Sequence, residues 1–300
     1  MVYLATRILA SLTTKHNSSS FSRLGVQGSF LYTILTGVFS LFFFWALNGF
    51  TLSFTLAVVL YSMIYGACVV LSLTITIFMY NHGSMSLISF ISGTVSLVCS
   101  AVFGALLLEE TLTPQIILQI SLMLLCVLTV FIGTKTSGAV EEKKRLSPLT
   151  FILPTFVALV GLAVTILIKL YLQDESATDA NSLYFMTNVF CIIYSAPILL
   201  VMMLMRKKKD PEPSEILRAC VDKRCLGAFI NTGVGAITTI TCTVLIEQMD
   251  VALYTPVVSA LGFISMAVVT PLVKERLDIY KIAATVIAIL SLFLPSLLFP

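Results

Sequence analysis

Nine long apolar runs follow one another along the chain, at residues 26–49, 52–80, 84–108, 114–134, 148–172, 182–205, 226–248, 251–273 and 278–298, with short polar segments between them. Within each run the apolar residues are continuous rather than alternating. An α-helix needs about 20 such residues to cross a hydrocarbon core about 30 Å thick, whereas a transmembrane β-strand alternates apolar and polar over about ten. The pattern predicts an all-α polytopic membrane protein. A further apolar stretch, residues 1–12, is too short to span and is interrupted by Arg7. It lacks the basic leader and small-residue cleavage site of a signal peptide. It reads as the inner half of a tenth helix, short by nature or truncated.

Composition narrows the class further. The chain is 58% hydrophobic and only 11% charged, with a mean hydropathy of +1.02. A soluble domain carries about 25% charged residues, and a disordered chain is less apolar still. The net charge of +3 implies no nucleic-acid partner, because no basic patch interleaves with aromatics. Five of the seven cysteines (Cys68, Cys99, Cys126, Cys191, Cys242) lie inside apolar runs and read as buried thiols. Cys220 and Cys225 lie in a charged loop, but neither His16 nor His82 is near enough in sequence to complete a metal set, so no metal and no cofactor is expected.

The distribution of charge gives an orientation. Arg7, Lys15 and Arg23 precede the first long run, Lys135, Lys143, Lys144 and Arg145 lie between 134 and 148, and Lys274, Arg276 and Lys281 flank the last turn. The loop after residue 205 carries Arg206, Lys207, Lys208, Lys209, Arg218, Lys223 and Arg224, with Pro211 and Pro213 marking it as irregular. With nine spans and a partial first helix, all of the 18 basic residues except Lys169 fall on one side. The opposite loops hold Glu109, Glu110, Asp174, Glu175, Asp179, Glu247 and Asp250. The excess of Lys and Arg marks the cytoplasmic face.

Two stretches resemble one another. FGALLLEETLTPQ, within 85–133, and AVVTPLVKERLDIYK, within 250–298, each join two apolar helices through a Glu-x-Leu turn. Glu110 matches Glu275 and Leu112 matches Leu277, both 165 positions apart, about half the chain. The implied unit is five helices. An odd number forces the second copy into the membrane in the opposite sense, and the charge pattern independently puts Glu110 outside and Glu275 inside. The organisation expected is a first five-helix repeat over 1–134, a cytoplasmic linker over 135–147, and a second, inverted five-helix repeat over 148–300. Inverted repeats are characteristic of secondary transporters, with the substrate near the midplane between the halves.

On Glu110-Thr111-Leu112, Glu275-Arg276-Leu277, Tyr65-Gly66-Ala67 and Tyr254-Thr255-Pro256, the chain resembles a ten-helix transporter of the EamA type, in the drug/metabolite transporter superfamily. The resemblance spans nearly the whole chain and implies export or uptake of a metabolite or drug. It also implies that the first helix helps line a central cavity. That helix is incomplete in this sequence, so one wall of the cavity departs from the family pattern.

Enzyme signatures are missing: there is no G-x-S-x-G, H-E-x-x-H, G-x-x-x-x-G-K-[ST] or C-x-x-C. The expectation is a protein that is not an enzyme. What remains is polar residues at i, i+4 spacing, which share a helix face. Such stripes are Tyr61, Tyr65, Cys68 and Ser72; Ser92, Ser96, Ser100 and Gly104; Gly161, Thr165 and Lys169; Tyr184, Asn188, Cys191 and Ser195; and Gly227, Asn231, Gly235, Thr239 and Thr243. Small residues also let helices pack closely, so each stripe has a packing reading beside a cavity reading. An amide or phenol in hydrocarbon needs a partner, and a wet cavity supplies one. The cavity candidates are Tyr61, Tyr65, Ser92, Ser96, Lys169, Asn188, Asn231, Thr239 and Tyr254. Lys169 is a charge within a span, which marks function, but it lies one turn from acidic residues and also suits snorkelling or pairing with Asp174 or Glu175. Arg7 sits 162 positions before it, near the repeat offset, and a pair of cations would suit an anionic substrate. Glu110 and Glu275 end helices and read as loop anchors or gates. Pro256 lacks an N–H and shapes the start of its helix.

The function expected is a secondary transporter moving a small metabolite or drug across the cytoplasmic membrane, by the resemblance a bacterial one, through alternating access. Its partners are a small-molecule substrate and the lipid bilayer. The coupling ion, direction and oligomeric state are left open. A lipid or lipid-precursor flippase and a non-transporting membrane scaffold are the alternatives, with a polytopic enzyme last.

Overall fold

The structure is a computed structural model that describes residues 2–22, 24–82, 85–107, 111, 113–136, 149–205, 211–272 and 279–298. The described residues contain helices and no strand: α1 (Val2–Ser22), α2 (Gly25–Leu47), α3 (Leu56–His82), α4 (Met85–Leu107), α5 (Pro114–Thr136), α6 (Leu149–Gln173), α7 (Ala180–Leu204), α8 (Pro213–Ala219), α9 (Lys223–Gln248), α10 (Val251–Leu272) and α11 (Ile279–Leu298). Each of the nine apolar runs is a helix, with ends within a few residues of the expected ones. Glu110, Leu112, Glu275, Leu277 and the linker 137–148 lie outside the described residues.

Seven of these helices are long and apolar enough to cross a membrane: 25–47, 56–76, 114–133, 152–173, 180–204, 223–248 and 251–269. Shorter apolar stretches occur at Val95–Leu106 in α4 and Ile282–Pro295 in α11. The chain is a multi-pass membrane protein. Large apolar side chains such as Leu60, Ile64, Leu125, Ile193 and Leu200 are exposed on its helices, as expected of surfaces that face lipid tails rather than water.

The first helix departs from expectation. Rather than ending near residue 12, α1 continues to Ser22 through TTKHNSSSFS. It has the length of a span but not the composition, because its second half is polar, and it is absent from the span-forming set. Pro154, Pro197 and Pro295 lie inside α6, α7 and α11. Membrane helices tolerate such residues because neighbouring groups satisfy the freed carbonyls. Pro256 falls one turn into α10 and is fully buried.

The chain divides into two compact units. One comprises Met1–Ser11, Gly83–Thr165 and Leu245–Pro300; the other comprises Leu12–His82 and Ile166–Val244. Neither is a contiguous half of the sequence: each draws on both sides of residues 135–147. α4 and α5 pack on α10 and α11 in the first unit, and α2 and α3 on α7 in the second.

In the first unit α5 and α11 run antiparallel along a seam of Met123, Cys126 and Val127 against Ala284 and Ala288, with Leu97 of α4 and Ala260 of α10 closing it. Small residues at i, i+4 on α11 let the backbones approach closely. In the second unit the core gathers Phe21, Leu24, Phe30, Leu31 and Tyr32 against Val70, Cys191 and Leu199, with Ile216 and Ala219 of the short α8 capping one end. Gly37 and Gly66 are the contact points on α7. A Cβ at Gly37 would stand 2.9 Å from Ile192 Cγ1, and one at Gly66 2.9 Å from Phe190 Cβ.

Candidate functional site

The largest share of the candidate residues lies in the second unit, where polar side chains from several helices meet inside apolar surroundings. α9 presents Asn231 one helical turn past Gly227. Its amide is used on both sides: Thr13 Oγ1 of α1 donates to Asn231 Oδ1 at 2.6 Å, and Asn231 Nδ2 donates to the Tyr32 hydroxyl of α2 at 2.6 Å. Tyr32 is buried and tilts against Phe21 with ring centroids 5.1 Å apart. This chain of three polar groups ties α1, α2 and α9 together. Gly233, two residues on, admits the Phe43 ring of α2, which a Cβ there would meet at 2.8 Å. Phe229 packs against Phe39 and Phe43 at 5.3 and 5.1 Å.

Further along α9, Thr243 is hydrogen-bonded to the hydroxyl of Tyr184 on α7, and both are buried. Tyr184 is the centre of an aromatic group. Phe44 of α2 lies at 5.2 Å and Tyr65 of α3 at 6.0 Å, the latter edge to face. Tyr61, one turn before Tyr65, meets Tyr171 of α6 edge to face at 5.4 Å. Asn188 is half-buried and donates from Nδ2 back to the Tyr184 carbonyl at 2.7 Å. Thr239 is half-buried on α9, and its carbonyl accepts from Thr243 at 3.0 Å. Lys169 is half-buried on α6.

One end of this unit is closed by a polar network between two loops. Asp179 caps α7: its carboxylate accepts from Ser182 N at 2.8 Å and from Ser182 Oγ at 2.7 Å. It also accepts from Ser53 Oγ at 3.3 Å, and Ser53 N donates to Ser182 Oγ at 3.1 Å. Thr55 Oγ1 donates to the Ser176 carbonyl, Thr178 Oγ1 to the Ser53 carbonyl, and Asn181 Nδ2 to Asn48 Oδ1. The α2–α3 and α6–α7 connections are thus knitted together. In the same loop, hydrogen bonds from the Ser176 hydroxyl and N–H hold the Asp174 carboxyl below its ordinary range, with a smaller contribution from Tyr61.

The remaining candidates lie in the first unit. Ser92 of α4 donates to the Pro154 carbonyl of α6 at 3.0 Å, a contact that joins two helices. Ser96 is half-buried on α4, and Tyr254 is buried on α10. The structure therefore brings Tyr61, Tyr65, Asn188, Asn231, Thr239 and Lys169 into one unit and Ser92, Ser96 and Tyr254 into the other. In the Asn231 network, Thr13 and Tyr32 are not singled out by the sequence. A signal for Tyr32 existed: Ser29, Tyr32, Thr33, Thr36 and Ser40 form a polar stripe at helical spacing along an otherwise Phe-rich run. Thr13 carries no signal, because the polar composition of residues 13–22 argues against a membrane helix there.

No protein family matches the chain, and no curated protein matches it. A solved structure described only as "Crystal structure of protein" is similar over 99% of this chain and 96% of its own, with a TM-score of 0.62 at 16% sequence identity. At that identity the likeness is one of fold.

Proposed function

We propose that the chain is a secondary transporter of the EamA type. It moves a small metabolite or drug across a cytoplasmic membrane, by the resemblance a bacterial one, by alternating access between inverted five-helix repeats over 1–134 and 148–300. The observation that carries the reading is Asn231. Its amide sits within a span-forming helix, bonded to a hydroxyl and a phenol from two other helices. A side-chain amide in hydrocarbon is costly unless partnered. The nearby Tyr184–Thr243 pair and the Tyr65 and Tyr61 rings extend a polar and aromatic surface through the same unit. Such a surface suits a cargo with both an apolar body and hydrogen-bonding groups. The Glu-x-Leu turns 165 positions apart and the one-sided distribution of Lys and Arg add support from the sequence.

A lipid or lipid-precursor flippase is the second reading, and a cleft favours it. Phe30, Ala67, Val70, Leu71, Thr74, Tyr194 and Ile198, on α2, α3 and α7, line an open surface groove of about 380 Å³. The Thr74 hydroxyl is turned back onto the Val70 carbonyl at 2.7 Å, so the walls are almost wholly apolar and fit an acyl chain.

The test is thermal stability of the purified protein against amino acids, nucleotides, sugars, quaternary cations and lipid precursors. A ligand that binds only the folded state stabilises it by about 2.7 kcal/mol at roughly a hundredfold over its dissociation constant. One soluble class of hits supports the transporter. Hits confined to lipid precursors favour the flippase. A flat panel contradicts both and leaves the scaffold reading.

A further inference from the structure

The connection between α2 and α3, residues 48–55, carries no charged side chain, whereas the α6–α7 connection bonded to it holds Asp174, Glu175 and Asp179. It begins with a helix-ending turn at the close of α2. Gly49 N donates to the Ala46 carbonyl at 3.1 Å and Phe50 N to the Trp45 carbonyl at 2.9 Å. Gly49 stands at φ +62, as this way of satisfying the last carbonyls of a helix requires. The Phe50 ring meets Trp45 edge to face at 5.0 Å, and the Phe50 carbonyl accepts from Trp45 Nε1 at 3.0 Å. The indole N–H is thus satisfied inside the turn. Phe50 itself stands at φ +63, a conformation that the turn does not demand of it and that bulky residues rarely adopt.

Beyond the turn, polar and apolar positions alternate, which sends them to opposite faces of an extended chain. The polar groups are used within the protein. Thr51 Oγ1 donates back to the Asn48 carbonyl at 2.8 Å, Ser53 Oγ to Asp179, and Thr55 Oγ1 to the Ser176 carbonyl. The apolar groups point the other way: Phe50, Phe54 and Leu56 are 60%, 53% and 75% exposed. Trp45 and Leu47, in the last turn of α2, are exposed beside them. These groups border the ends of two spans, 25–47 and 56–76. Aromatic rings at span ends settle at the level of the lipid headgroups.

We propose that the α2–α3 connection is an interfacial anchor, with Trp45, Phe50 and Phe54 seated where lipid headgroups meet the acyl chains. The occupant is the bilayer, because the exposed rings continue the lipid-facing surface of two spans and the connection's polar groups are turned inward. Contact with lipid offsets the strained backbone at Phe50. The connection offers no cation to a headgroup phosphate, so the contact does not depend on anionic lipid. The anchor is independent of Asn231 and of the transport reading.

The test uses fluorescence of the full chain in phosphatidylcholine vesicles. Trp45 is the single tryptophan, so the native chain carries one reporter, and W45F/F54W moves it into the connection while keeping a ring against Phe50. The lipids carry bromine either near the headgroup or near the chain end, and aqueous iodide probes access from water. The expected result is that both reporters are quenched most by bromine near the headgroup, little by iodide, and equally when brominated phosphatidylglycerol replaces phosphatidylcholine. W45F/F50G/F54W removes one anchoring ring at a position where glycine is unstrained. Its lipid quenching should fall and its iodide quenching rise, with thermal stability in detergent unchanged or higher. Quenching of the W45F/F54W reporter by iodide and not by bromine places the connection in water. Shielding from both means that a second copy of the chain covers it, and strongest quenching at the chain end places it in the hydrocarbon core. Each of these results overturns the proposal. A preference for phosphatidylglycerol overturns the charge-independent contact, and unchanged quenching in W45F/F50G/F54W overturns the role of Phe50.

Discussion

In the first unit the α5–α11 seam closes on small side chains and sulfur. Cys126 Sγ donates to the Ala284 carbonyl at 3.0 Å, Ser291 Oγ lies 3.2 Å from Met123 Sδ, and Gly133 is pressed against Tyr280. In the second unit α2, α7 and α9 are joined by amides, phenols and hydroxyls, and one end is stitched by Asp179, Ser182 and Ser53. Both arrangements solve the same problem. Lipid tails are as apolar as leucine, so helices in a bilayer associate through close van der Waals packing or through hydrogen bonds. The first solution gives a seam whose integrity depends on shape. The second places polar groups where a solute could replace one partner with another, and that difference is why the second unit carries the candidate site.

Gly133 carries the largest expected effect. A Cβ there collides with Tyr280 Cβ, and overpacking of this kind costs about 1–3 kcal/mol. G133A is expected to lower thermal stability in detergent by that order. Gly161 of α6 is the control, since its Cβ would meet nothing within 4 Å, and G161A should be neutral or stabilise by up to about 1 kcal/mol. Equal effects would show that the seam is not shape-limited.

Asp179 tests the stitched end. D179A removes the cap of α7 and the link to Ser53 together, and loss of a helix N-cap costs about 0.5–2 kcal/mol. The expected signature is faster hydrogen exchange in the α2–α3 and α6–α7 connections and unchanged exchange in α5 and α11. Asn231 comes next in stability but first in function. Side-chain hydrogen bonds between membrane helices average about 0.6 kcal/mol and reach about 1.7, so N231A should unfold only slightly earlier while losing ligand response. Asp174 carries the smallest effect. Its carboxyl is held below the ordinary range, so the interaction is present above the unfolded-state value and is lost as pH falls through the folded one. D174N should flatten that acid limb and leave neutral-pH behaviour unchanged.

Much of the architecture was legible because hydrocarbon imposes a simple rule: a helix that meets lipid must be apolar for its whole length. That rule placed every long helix from α2 to α11. It failed at α1, where Thr13 to Ser22 continue a helix that the polar composition had argued against. Packing partners were less legible. Nothing in the alternation of apolar and polar positions shows that α2 and α3 pack on α7 while α5 packs on α11. The site was legible where an amide stood alone in a span, as at Asn231. It was missed at Tyr32, whose hydroxyl was hidden among the phenylalanines of α2.

The central claim is that the Asn231 network belongs to a solute path rather than to packing alone. The most direct measurement is uptake into proteoliposomes of the solute that stabilises the purified protein, compared between wild type and N231A at matched incorporation. The account predicts saturable uptake by wild type and its loss in N231A, with G161A transporting normally. Equal uptake by wild type and N231A would contradict it.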